Sequence, residues 1–296
     1  MGESLTGAAA ALGSALAWAI GAILFKRIGD GLSSSFMTLV KCLISALLLG
    51  GLLLAMGGRL WLPRHTLLML LVSGALGVAL GDTLFFAALK RLAPHTLIVL
   101  FTGGQVLTVL LAIVFLGDKP APLGWIGIAL ILAGIFFVLR SSLADDAQST
   151  KLLGVVLGAL SVVCMSVSLV IAKTALASVG SVEGAFLRMF GGAVAMLGFS
   201  LFYRRKGVLA PLRDGGLMLR FFAGVAVITF GGFWLSLLAV KLLDLSVASV
   251  LSSAEPIFVL ILGALFLRER ITLQALLGVI VAVAGVSCLC VALHGA

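Results

Sequence analysis

The sequence predicts an all-α integral membrane protein of ten transmembrane helices, built as two inverted repeats of five. Three observations lead there. The 296 residues are 62% apolar and 10% charged, with a mean hydropathy of +1.31, whereas soluble domains run nearer half apolar and a quarter charged. The apolar residues gather in long runs, each close to the roughly 20 residues a helix needs to cross about 30 Å of hydrocarbon. The second half of the chain repeats the pattern of the first. This composition excludes an ordinary soluble enzyme, a disordered chain and a disulfide scaffold. The unbroken runs also exclude a β-barrel, whose strands are short and alternating.

In chain order the runs are 4–25, 34–56, 67–89, 95–116, 122–140, 152–173, 182–203, 217–240, 246–267 and 272–293. Met1 to Gly7 holds no basic region and no clear cleavage site follows the first run, so it reads as a retained helix rather than a signal peptide. The longest polar connector, RSSLADDAQSTK from Arg140 to Lys151, divides the chain into a first repeat (1–140), a linker (141–151) and a second repeat (152–296). An offset of 147 carries Lys26 onto Lys173 and Lys41 onto Arg188. An offset of 151 carries Lys90 onto Lys241, Asp118-Lys119 onto Glu269-Arg270, and Gly127 and Gly134 onto Gly278 and Gly285. Because five is odd, consecutive halves enter the membrane from opposite sides. The resulting inverted repeat is the architecture of many secondary transporters.

The segment SSAEPIFVLILGALFLRERITLQALLGVIVAVAG (252–285) carries Glu255-Pro256, an apolar run, Leu267-Arg268-Glu269, then Gly278 and Gly285. It resembles the second EamA domain of the drug/metabolite transporter superfamily. The first half repeats the pattern more weakly, with Leu116-Gly117-Asp118 and Gly127/Gly134, and departs from it at Gly103-Gly104-Gln105, where the usual Pro is absent. The resemblance implies two EamA-type repeats and a secondary carrier for small organic metabolites, with export of an amino acid or related compound across a bacterial cytoplasmic membrane as the first expectation. Uptake, drug efflux, carriage of a lipid-linked or sugar substrate, and a non-transporting membrane subunit stand as alternatives. Connectors after odd-numbered helices hold thirteen Lys and Arg against five after even-numbered ones. The positive-inside rule therefore puts both termini outside, opposite to the way related transporters are commonly drawn.

Charges inside hydrocarbon are expensive, so each one asks for a reason. Asp82 lies in the third helix, about two turns from its charged end. Such a carboxylate is either protonated or paired with a cation, as a coupling site or as a structural bond to a neighbouring helix. Glu255 lies midway along the expected ninth run, and Pro256 after it removes a helical donor and invites a kink. Lys41 and Arg188 hold equivalent places in the second and seventh helices. They read first as snorkelling side chains, and otherwise as cations flanking an anionic or zwitterionic substrate or compensating the carboxylates. Gly103 and Gly104 weaken the fourth helix at its midpoint beside Gln105. Paired helix breaks at Gly103-Gly104 and Pro256 then make the third, fourth, eighth and ninth helices the expected cavity walls. Trp18, Phe86 and Trp234 are the candidate aromatic contacts. Gly77/Gly81 and Gly154/Gly158, with the seven-residue glycine spacings of the fifth and tenth helices, read as packing.

Cys42, Cys164, Cys288 and Cys290 show no metal spacing, and His65, His95 and His294 are scattered, so no metal, cofactor or catalytic constellation is expected. The expected partners are a small-molecule substrate, protons as coupling ion and membrane lipids. No nucleic acid is expected, and the assembly is expected to be a monomer or a weak homodimer.

Overall fold

The computed structural model describes residues 2–29, 32–57, 62–116, 122–142, 148–176, 179–202, 215–242, 251, 254–268 and 271–294. Among these there is no strand, and they form ten helical segments. In the first half these are α1 (Gly2–Ile28), α2 (Ser34–Ala55), α3 (64–89), α4 (Pro94–Leu116) and α5 (Pro122–Ser142). In the second they are α6 (Gln148–Leu176), α7 (Ser181–Phe202), α8 (215–242), α9 (Glu255–Leu267) and α10 (Leu273–His294). Seven candidate spans, on α1, α2, α3, α5, α6, α7 and α8, are long and apolar enough to cross a membrane, while Glu255–Leu267 and Leu273–Cys288 are shorter apolar helices.

Local chemistry sets several of the ends. Ser33 caps α2 by accepting the Phe36 N–H at 3.2 Å. Lys26, near the end of α1, donates to the carbonyls of Leu89 and Leu92 at 2.5 and 2.8 Å. It thereby satisfies acceptors that the end of α3 would otherwise leave open.

The packing follows the internal duplication. α1 lies against α8 and α9, and its counterpart α6 lies against α3 and α4. α2 meets its own counterpart α7, α4 meets α9, and α5 meets α10. Each half therefore lends its first helix to the third and fourth helices of the other, so neither half buries its apolar faces alone. One correspondence is broken. α3 packs along α2 in the first half, whereas among the described residues α7 and α8, the equivalent helices of the second, share no extended contact.

The glycine spacings are explained by α5 and α10, whose backbones touch. A Cβ at Gly134 would stand 2.6 Å from the Gly278 carbonyl oxygen, and one at Gly285 would stand 2.8 Å from that of Gly127. Gly103 and Gly104 play a similar part. The fourth helix runs unbroken from Pro94 to Leu116, so the expected break there is corrected. Gly103 instead admits Ile135 of α5, and Gly104 admits Val162 and Ser166 of α6. The interruptions lie elsewhere. α3 passes through a π-helical stretch at Gly74–Gly81 and α8 through another at Val227–Trp234. The offset of 151 maps 74–81 onto 225–232, so the two stretches overlap in the repeat. π turns are rare in helices and concentrate at functional sites.

Replacing Gly134 by Val drives a side chain into fixed backbone, and the expected cost is about 1–3 kcal/mol. Gly51→Ala, where nothing lies within 4 Å, is expected to be neutral or stabilising by up to about 1 kcal/mol. Thermal transitions of the two variants in mild detergent check the pair, and equal transitions would contradict the close contact of α5 with α10.

Candidate functional site

Each π stretch is held by a serine from the opposite half. The Ser14 hydroxyl of α1 donates to the Gly232 carbonyl of α8 at 2.8 Å. The Ser161 hydroxyl of α6 donates to the Gly81 carbonyl of α3 at 2.7 Å. Ser14 and Ser161 are separated by 147 positions and Gly81 and Gly232 by 151, the two offsets of the duplication. In hydrocarbon a backbone carbonyl displaced from its regular ladder has no water to turn to, so a side-chain donor must meet it.

The same symmetry governs the surrounding contacts. Gly232 abuts Trp18 and Gly81 abuts Met165, and Trp18 and Met165 are again equivalent. Gly21 admits Ile228 at one interface, while Gly77 admits Ser168 at the other. Ser73 and Ser168 complete the α3–α6 contact by donating to each other's carbonyls, both at 2.8 Å.

Beside this frame lie the charges. Lys41 of α2 and Asp82, the first residue after the π stretch of α3, form a buried ion pair. Lys41 therefore does not snorkel, which corrects that reading; it neutralises a carboxylate that the bilayer would otherwise reject. One turn further along α2, Ser45 and Thr229 of α8 are 3.1 Å apart. Thr83 donates to Thr38 at 3.0 Å, so polar side chains flank the pair along both α2 and α3.

Arg188, the counterpart of Lys41, projects from α7 and donates through Nη2 to the Ser168 hydroxyl at 3.1 Å. Its Nε is buried with no hydrogen-bond partner. The Asp82 carboxylate acts on it electrostatically, but among the described residues that carboxylate's only direct ion pair is with Lys41.

The remaining candidates lie apart from this cluster. Glu255 is the first residue of described α9, with Pro256 in the opening turn. There the missing N–H costs nothing to the described helix; the residues just before it, 252–253, lie outside the described set. The expected ninth-helix residues 246–250 and 252–253 fall outside the described set, as does the side chain of Gln105. α9 packs on α1 and α4, where Val259 meets Ala19, Ala22 and Ile98. Phe86 is 2% exposed and sits edge-on to Phe25 in the main core, which makes it packing rather than a cavity wall. Trp234 is 53% exposed. Trp18 is half-buried and stands edge-on to Phe233 at 4.9 Å. No group of three or more metal-ligating side chains occurs among the described residues.

Sequence reasoning missed Ser14, Ser161, Ser168 and the Gly81/Gly232 pair. Their signal lay in the same two offsets, applied to small polar residues and glycines instead of charges.

Fold and site together define a multi-pass membrane protein in which two structural repeats enclose buried polar groups. The chain belongs to the EamA-like transporter family, whose model matches residues 5–140 and 152–291 as two copies. It is 62% identical over 40 residues to an uncharacterized transporter of Archaeoglobus fulgidus, a match spanning 14% of either chain. A solved crystal structure of a protein with 19% identity superimposes with a TM-score of 0.62, covering 98% of this chain and 97% of the other. That likeness supports the fold alone.

The buried pair gives a stability prediction. Lys41→Met leaves the Asp82 carboxylate uncompensated and is expected to cost about 3–5 kcal/mol. Adding Asp82→Leu is expected to restore most of that loss, since an apolar pair of similar volume is often as stable. Thermal transitions of the single and double variants check it; an equal loss in both would show that the two charges do not act on each other.

Proposed function

We propose that the protein is a secondary active transporter that exports a small organic metabolite, an amino acid or related compound, by alternating access. On this reading all ten helices cross a bacterial cytoplasmic membrane, and protons are the coupling ion. The observation that carries it is the broken correspondence between the repeats: α2 and α3 are packed together while the described residues of α7 and α8 share no extended contact. Two copies of one structural unit held in different packings are what a carrier needs if the copies exchange those packings between its two states. The π stretches of α3 and α8 are the points at which such a helix can bend.

Asp82 is the coupling residue in this scheme. Protonating its carboxylate releases Lys41, so a proton and a helix contact are exchanged in one event. Glu255, at the N-terminal end of α9, is the other membrane carboxylate the test must include.

The test is flux from proteoliposomes of the purified full chain, measured for a panel of amino acids with and without an imposed pH gradient. Gradient-dependent flux is expected for some of them, and Asp82→Asn is expected to leave it insensitive to the gradient. Absence of flux for the whole panel argues against the carrier. Unchanged gradient-driven flux in Asp82→Asn, Glu255→Gln and Lys41→Ala alike would remove these residues from the mechanism.

A further inference from the structure

The two repeats treat their buried cations differently, and the difference identifies what the site lacks. Lys41 and Arg188 are equivalent at the offset of 147. Lys41 is matched by Asp82 on the neighbouring third helix of its repeat. At the offset of 151 the position equivalent to Asp82 is Phe233. The residue that repeats Asp82 in the second half is thus an aromatic ring and not a carboxylate. It packs edge-on to Trp18 and borders the cluster of Cys42, Val78 and Met189.

Lys41, Asp82 and Arg188 together sum to one positive charge. Arg188 is half-buried, and among the described residues its guanidinium keeps a buried Nε without a partner and meets one neutral hydroxyl through Nη2. Inside a membrane a cation in that condition is costly unless an anion joins it.

We propose that Arg188 is the anchor for one singly charged anionic group of the transported compound, a carboxylate, which takes the place in the second repeat that Asp82 holds in the first. The planar fork of Arg matches a carboxylate through two parallel hydrogen bonds. One negative charge neutralises the cluster, whereas a phosphomonoester carries close to two and would leave one unmatched. This assignment rests on the carrier reading above and names the chemistry of its substrate.

The experiment uses compounds that share one hydrocarbon skeleton: L-phenylalanine, 3-phenylpropionate, L-phenylalaninamide, phenethylamine and phenethyl phosphate. Each is measured as flux above protein-free vesicles, with the purified full chain in proteoliposomes. The two carboxylates are expected to be carried and the other three not. Arg188→Gln is expected to raise KM for the carboxylates roughly 10- to 100-fold, the loss of a charged hydrogen-bonding partner. Arg188→Lys should recover part of that loss.

Phe233→Asp is the second variant. It places a carboxylate at the repeat-equivalent of Asp82, keeps Arg188, and is expected to raise KM for the carboxylates by a similar factor, because in the exchanged packing, with α7 against α8, an internal carboxylate competes for the guanidinium. A cooperative thermal transition in each variant establishes that it is folded. Equal carriage of the amide, the amine or the phosphate, or an unchanged KM in folded Arg188→Gln or Phe233→Asp, overturns the carboxylate assignment and leaves the carrier standing. Absence of flux for every compound in the wild-type chain overturns both.

Discussion

A backbone carbonyl inside hydrocarbon has to find a donor within the protein, and this constraint ties the two halves of the molecule together. The π stretches in α3 and α8 leave the regular α ladder at places where no water can take up the slack. Ser161 of α6 meets the carbonyl of Gly81, and Ser14 of α1 meets that of Gly232. Each hydroxyl comes from the opposite repeat, so widening a helix in one half creates a demand that only the other half satisfies. The glycines of these stretches serve the same end. Without side chains at Gly77, Gly81 and Gly232, the neighbouring helix comes close enough for its hydroxyl to reach the backbone.

That arrangement also sets where charge is tolerated. Asp82 follows directly on the π stretch of α3, and Lys41 reaches it from α2 at the same depth. Both lie seven residues from the helix ends remote from their shared connector, Ser34 of α2 and Leu89 of α3, about 10 Å at 1.5 Å per residue. Buried pairs of this kind contribute little net stability compared with an apolar pair. Placing such a pair beside a bend in one repeat, with an aromatic ring at the equivalent place in the other, makes the two repeats chemically unequal while their backbones remain related.

Much of the fold could be read from one dimension because hydropathy and helix length are local properties. The ten apolar runs correspond closely to ten helical segments, and the Gly127/Gly134 and Gly278/Gly285 spacings mark the helices whose backbones touch. The π stretches could not be read this way. GALGVALG and VITFGGFW have the composition of any membrane helix, and the shift of a ladder by one residue leaves no periodic trace in so short a window. Gly103-Gly104 looked like the break because paired glycines weaken an isolated helix. In the bundle their lack of side chains is spent on close contact with Ile135 and Ser166 instead. The Lys41–Asp82 pair was within reach, since antiparallel neighbours put residues equidistant from the same end of the pair side by side, and each of the two lies seven residues from the end remote from the connector. The unequal packing of α2/α3 and α7/α8 was not, because it is a property of the assembled bundle.

Symmetry-related positions therefore carry more information where they differ than where they agree. Agreement at Ser14/Ser161 and Gly81/Gly232 follows from building one fold twice. The difference between Asp82 and Phe233 does not, since both repeats carry a cation, Lys41 and Arg188, and only the first carries an acidic residue at this position. A buried guanidinium without a carboxylate costs free energy in every state of the molecule that leaves it unmatched. A compound that supplies the missing charge removes that cost only while it is bound, so its binding energy is coupled directly to the conformation in which Arg188 accepts it. In a carrier this coupling gives an empty site reason to differ from a loaded one, and it requires no residue beyond the asymmetry already present between the two repeats.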